Sequence, residues 1–166
     1  MFTNILWATD ASPEADAALH YAVEMAEHSH ARLHVVHVVE KFIGGRTTGQ
    51  DALLNEHEIV TKIKTQIAGV AQEHAIKPTL HVVAEAAGHV AGRISDVAQE
   101  TGADLIVVGT RGRSALGALV LGSVTQRLLH VSTCPVLAVP HGAAAEADEA
   151  HEVRPEARSE ALPTVS

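Results

Sequence analysis

Apolar residues recur along the first 140 positions in two alternating rhythms, short unbroken runs and longer stretches spaced three and four apart. The runs predict strands at Ile5–Ala8, Leu33–Val39, Thr79–Ala84, Leu105–Val108 and Val136–Val139, the last closed by Pro140. Helical spacing puts Ala15, Ala18, Leu19, Ala22, Val23 and Ala26 on one face of a first helix. Ser12-Pro13-Glu14 marks its start: a serine to cap it, a proline that needs no N–H there, and an acid near the positive dipole end. The polar, glycine-rich Gly44–Gly49 reads as a flexible loop. From Asp51 a second helix has Ile59, Ile63, Ile67 and Val70 as its stripe. Gly88 opens a third, with Val90, Ile94, Val97 and Ala98 inward and Gly102 as its C-cap. A fourth is expected to bury Val120, Leu121, Val124, Leu128 and Val131.

Strands that are apolar throughout, alternating with helices, predict a single-domain α/β fold: an open parallel five-stranded sheet with helices on both faces. Ligands of such sheets bind beyond the carboxyl ends of the strands, where the strand order reverses. Asp10 and Gly109 lie just past two such ends, on the first and fourth strands. The domain is expected to span residues 1–140. Residues 141–166 have few large apolar side chains and predict an acidic, Ala/Glu-rich, disordered tail.

Charge narrows the function classes. The chain has 166 residues and a net charge of −8, of which the tail, with six acids and two arginines, supplies −4. No basic face for a nucleic-acid backbone is in evidence, so nucleic acid is not an expected partner. No apolar stretch is long enough to span a bilayer, and MFTNILWATD does not resemble a signal peptide, so the cytoplasm is the expected compartment. Cys134, the single cysteine, precedes an apolar strand and reads as a small buried hydrophobe. His34 and His37 have opposite parity on a strand, and no Cys pair or helical H-x3-H accompanies them, so no metal site is expected. The twelve histidines could make net charge and association sensitive to pH.

The chemistry gathers in GTRGRSALGALVLGS, residues 109–123, where Gly109, Gly112 and Gly122 are spaced G-x2-G-x9-G and Ser123 follows. A backbone can approach an anion closely only where side chains are absent, and a helix start offers N–H groups and a positive dipole end. Better-known phosphate motifs are excluded. The first turn, ATDASPE, contains no glycine, which removes the dinucleotide fingerprint. Gly117 to Gly122 has P-loop spacing, but Ser123-Val124 stands where Lys-Ser/Thr is required. No G-x-S-x-G nucleophile elbow is present.

The sequence resembles the universal stress protein family. The resemblance runs from Asn4–Asp10 through Leu33–Val38 and Asp104–Gly112 to Gly122–Thr125 and Cys134–Pro140. The family's ATP-binding subgroup is marked by G-x2-G-x9-G-S/T, which Gly109, Gly112, Gly122 and Ser123 match. The resemblance implies a Rossmann-like, adenine-nucleotide-hydrolase-like fold with ATP, accompanied by Mg2+, as the ligand. It implies Asp10 near the ribose with Thr9 beside it, and the backbone around Val38 facing the adenine. Gly109, Gly112, Gly122, Ser123, Val124 and Thr125 would wrap ribose and phosphates. Arg111 and Arg113 could offset triphosphate charge, although the family pattern does not require arginine there. It further implies a homodimer through the last strand, Val136–Val139. Three readings stay open: a nucleotide-responsive stress regulator, a slow ATP hydrolase or phosphotransfer enzyme, and a nucleotide-free interaction module. The motif supplies no obvious base for hydrolysis.

Overall fold

The computed structural model describes residues 1–41, 49–111 and 121–140, with backbone alone for 49–54. In chain order the elements are β1 (Asn4–Ala8), α1 (Pro13–Ser29), β2 (Arg32–Lys41), α2 (Gly49–Glu73), β3 (Thr79–Ala86), α3 (Val90–Thr101), β4 (Leu105–Gly109), α4 (Ser123–Val131) and β5 (Val136–Val139). The strands form one wholly parallel sheet in the order β3-β2-β1-β4-β5. The expected α/β architecture is therefore what the chain adopts.

β1 is central, with Ile5–Ala8 paired to Leu33–Val36 on one side and Leu105–Val108 on the other. A strand in that position has no solvated face, and Ile5, Leu6, Trp7 and Ala8 are all buried. Alternation then sorts the core. Ile5, Trp7, Leu33 and Val35 pack with α1 and with Ile59 and Ile63 of α2, while Leu6, Ala8, Val36 and Ile106 pack with α3 and Leu128 of α4. The Trp7 indole N–H donates to the Ala15 carbonyl at 3.0 Å, which satisfies a buried donor and fixes the first turn of α1 to β1. At the other end of the sheet, Asp104 accepts from the Thr3 N–H and hydroxyl, both at 2.8 Å, and from the Asn4 N–H at 3.1 Å. Burial works to raise the pKa of Asp104, but these bonds outweigh it and hold the carboxyl below its ordinary range.

The expected caps are in place: Ser12 accepts from Ala15 N–H at the start of α1, and Gly102 ends α3 with φ 66°. Several boundaries differ. β2 and β3 continue to Lys41 and Ala86, because their ladder persists beyond the apolar runs. α2 begins at Gly49 rather than Asp51, and α3 begins at Val90 after Gly88, whose φ is 84°. Val131 is 47 % exposed where burial was expected, since α4 ends there and its last turn overhangs the core. Cys134 is half-buried in the turn before β5 rather than fully buried, with its N–H donating to Ser132 Oγ at 3.2 Å. Val120 and the 141–166 tail lie outside the described residues, as does most of the Gly44–Gly49 loop.

Candidate functional site

β2 lies on one side of β1 and β4 on the other, so the connections leaving β1 and β4 depart in opposite directions. That is the switch point at which an open parallel sheet leaves a crevice. Because Ala8 pairs with Val108, the residues that follow, Thr9-Asp10 and Gly109-Thr110, emerge side by side.

The turn after β1 is held at each step. The Thr9 N–H donates to Val36 O at 3.0 Å, and the Thr9 hydroxyl accepts from Ala11 N–H at 3.0 Å. Asp10 Oδ1 accepts from Ser12 N–H at 3.1 Å. Ala11 has a φ of 59°, a left-handed conformation that costs on the order of 1 kcal/mol for a residue with a Cβ. Glu14 and Asp16 put two acids in the first turn of α1. The start of α1 is thus both capped and negatively charged.

The turn after β4 is closed at its neck. Thr110 N–H donates to Val139 O at 2.8 Å, and Thr110 O accepts from Gly122 N–H at 2.7 Å. Thr125 is buried and donates its hydroxyl to Gly109 O at 2.8 Å. A Cβ on Gly109 would lie 2.7 Å from Glu14 O, so glycine there lets β4 meet the first turn of α1. A Cβ on Gly122 would lie 3.3 Å from Arg111 Cα and from Thr110 O, a tight approach but a smaller conflict. Gly122 is the N-cap of α4; no side chain caps that start and its first turn holds no acid. Among the described helices α3 also lacks a side-chain cap, but it starts behind the edge strand β3.

Each expected site residue can now be placed. Thr9 and Asp10 follow β1, and Gly109 and the half-buried Arg111 end β4 and its neck. Gly122, exposed Ser123, half-buried Val124 and buried Thr125 form the start of α4. Val38 is half-buried on β2, two residues beyond Val36, the partner of Ala8. The hydroxyls of Thr9 and Thr125 are engaged within the protein as braces. Gly112 and Arg113 lie outside the described residues.

Sequence reasoning missed His37, which is 4 % exposed on β2 beneath α2. Its Nδ1 lies 2.9 Å from the Thr9 carbonyl, which can only accept, so Nδ1 bears the hydrogen. Its Nε2 pairs with Glu56 of α2. A signal was present: in LHVVHVV, a strand buried on both faces, a polar side chain must find partners. Lys62 of α2 also reaches the turn, donating to Ala11 O at 2.6 Å and to Asp16 at 2.8 Å. On the opposite sheet face, as parity required, His34 Nδ1 lies 3.3 Å from His81 Nε2. Burial, then the neighbouring His81 and Arg32, lowers the His34 pKa below 6.5.

Comparison with known proteins agrees with this fold. The model of the universal stress protein family matches residues 1–140. A universal stress protein of Thermus aquaticus is 36 % identical over 144 residues, spanning 84 % of this chain and 99 % of that protein. The crystal structure of a family protein from Burkholderia pseudomallei is 30 % identical, covers 83 % of this chain and 96 % of that one, and superposes with a TM-score of 0.60. A universal stress protein of Archaeoglobus fulgidus, solved in complex with dAMP, shares the fold with a TM-score of 0.61 at 24 % identity, covering 84 % and 98 % of the two chains.

Proposed function

The chain belongs to the universal stress protein family, and from that membership we propose that it binds ATP with Mg2+ at the switch point and acts as a nucleotide-responsive regulator. The observation that carries the reading is the start of α4: a glycine cap, no side-chain cap bond and no acid in the first turn. Such a helix end suits a phosphate group, whose charge the dipole and the first-turn N–H groups favour. The start of α1, capped and acidic, does not.

In this reading Gly109, Gly112, Gly122 and Ser123 wrap the phosphates, with the first-turn backbone of Val124 and Thr125 contributing and Arg111 and Arg113 offsetting charge. Asp10 takes the ribose hydroxyls, with Thr9 bracing its turn, and the β2 backbone near Val38 meets the adenine. Occupancy would join the turn after β1 to the loop after β4, and that bridging is the signal. The A. fulgidus protein of the same fold holds dAMP, which is consistent with an adenine nucleotide here. β5 is an edge strand with half-buried Val136, Leu137 and Ala138, which favours pairing with a second copy in a homodimer. The cytoplasm is the proposed compartment.

The test is to denature the purified protein and analyse the supernatant by absorbance and chromatography. The reading expects adenine nucleotide near one equivalent per chain, or uptake on incubation with ATP and Mg2+. A protein that releases none and takes up none at millimolar nucleotide lacks this function.

A further inference from the structure

We propose that His37, paired to Glu56 of α2, is a positioning residue for the nucleotide cleft: it anchors the Thr9 carbonyl and so fixes the turn that presents Asp10. The proposal rests on the nucleotide reading above for the ligand, but its structural half stands on contacts alone.

If packing were all that mattered at position 37, a valine or leucine would serve, as at Val35 and Val36. An imidazole there is costly unless both ring nitrogens are satisfied. The fold satisfies both, Nδ1 by donating to the Thr9 carbonyl and Nε2 by sharing a proton with the Glu56 carboxyl group. Thr9 stands beyond the last residue of β1, where the ladder no longer supplies its carbonyl a partner. The next two residues are Asp10 and the left-handed Ala11, a conformation that persists only where its surroundings hold it. His37 holds the turn at Thr9, and the half-exposed Lys62 holds it at Ala11 O, two carbonyls flanking Asp10. Lys62 lies on α2 and His37 is paired to Glu56 of the same helix, so that helix is coupled to the cleft. With Nδ1 donating to a carbonyl and Nε2 on Glu56, His37 has no free nitrogen for a substrate, and its action on the ligand runs through the turn.

The experiment compares His37→Leu, which removes both bonds, with His37→Asn, whose side-chain N–H occupies the place of Nδ1. Dissociation constants for ATP with Mg2+ are measured by titration in both variants, in Asp10→Ala, and in the His37→Leu/Asp10→Ala double variant. Losing a buried hydrogen bond that holds the turn should weaken binding about tenfold in His37→Leu. His37→Asn should stay within about threefold of the parent, and the double variant should be no weaker than Asp10→Ala alone. Parent-like binding by His37→Leu, equal losses in the Leu and Asn variants, or additive losses in the double variant would overturn the proposal. Amide exchange without nucleotide supplies the independent reading. The Ala11 and Ser12 N–H groups, bonded to Thr9 Oγ1 and Asp10 Oδ1, should exchange about tenfold faster in His37→Leu, while Ile106 in β4 is unchanged. Unchanged exchange at Ala11 and Ser12 overturns the positioning claim even in a protein that binds no ATP. Faster exchange in a chain that binds no ATP leaves the anchor standing and removes the nucleotide reading instead. Should His37→Leu not fold, His37→Gln, whose amide sits at the place of Nε2 and leaves the Thr9 carbonyl without its donor, is measured in its place, with the same outcomes expected as for His37→Leu.

Discussion

Two helices begin at the same edge of the sheet, α1 after the central strand and α4 after its neighbour, and their starts are built in opposite ways. α1 caps itself: Ser12 accepts from Ala15 N–H, Asp10 folds back on Ser12, and Glu14 and Asp16 answer the dipole. α4 begins on Gly122 with no side-chain cap and no acid in its first turn. The dipole and the orphan N–H groups are the same at both ends, so the difference lies in who satisfies them. The protein completes α1 internally and gives α4 no side-chain cap, which in the proposed reading leaves that start to an anion. Gly109 sits between the two, bare because Glu14 O comes so close. One glycine of the motif therefore serves the joint between the helices, and another serves the open cap.

Substitutions can break this contrast. The largest effect is expected from Gly109→Ala, which forces a Cβ against the backbone of Glu14 and should cost about 1–3 kcal/mol in denaturant unfolding. Gly122→Asp gives α4 its own cap and places a negative charge where phosphate would sit. It should weaken ATP at least about tenfold while moving stability by less than about 0.5 kcal/mol, read by titration and by denaturant melts. Ser12→Ala removes the cap of α1 and should cost about 1 kcal/mol of stability with nucleotide affinity unchanged. A loss of affinity equal to that of Gly122→Asp would mean the two starts are not separate in function. The smallest effect is pH dependence through His34, away from both helix starts. Its folded pKa is lowered, so well above pH 6.5 it is neutral in both states and adds no pH dependence. As pH falls below 6.5 the unfolded chain takes up a proton that the folded chain resists, and stability declines until the folded pKa is passed. His34→Gln should flatten that decline in denaturant midpoints between pH 7 and 5.

β4 was legible because burial on both faces leaves little room for polar residues, so LIVV could hardly be anything else. VLAV, at the half-buried edge, was legible from its short apolar run closed by Pro140. The start of α1 was legible because Ser-Pro-Glu encodes a cap within three residues. What the sequence hid was contact across distance. His37 meets Glu56 nineteen positions on, and Lys62 reaches back fifty-one positions to Ala11, with no periodicity to announce either. The glycine spacing pointed to an anion cradle but not to the second duty of Gly109, since that depends on where α1 packs. Val131 fits the helical stripe yet faces solvent, because periodicity predicts a face and not where the core beneath it ends.

The central claim is that the start of α4 is left open for the phosphates of ATP. Isothermal titration of the parent protein and Gly122→Asp with ATP and Mg2+ tests it most directly. The account predicts saturable one-to-one binding by the parent and its loss in a variant that melts like the parent. Binding that survives Gly122→Asp undiminished, or no binding by the parent at millimolar nucleotide, contradicts it.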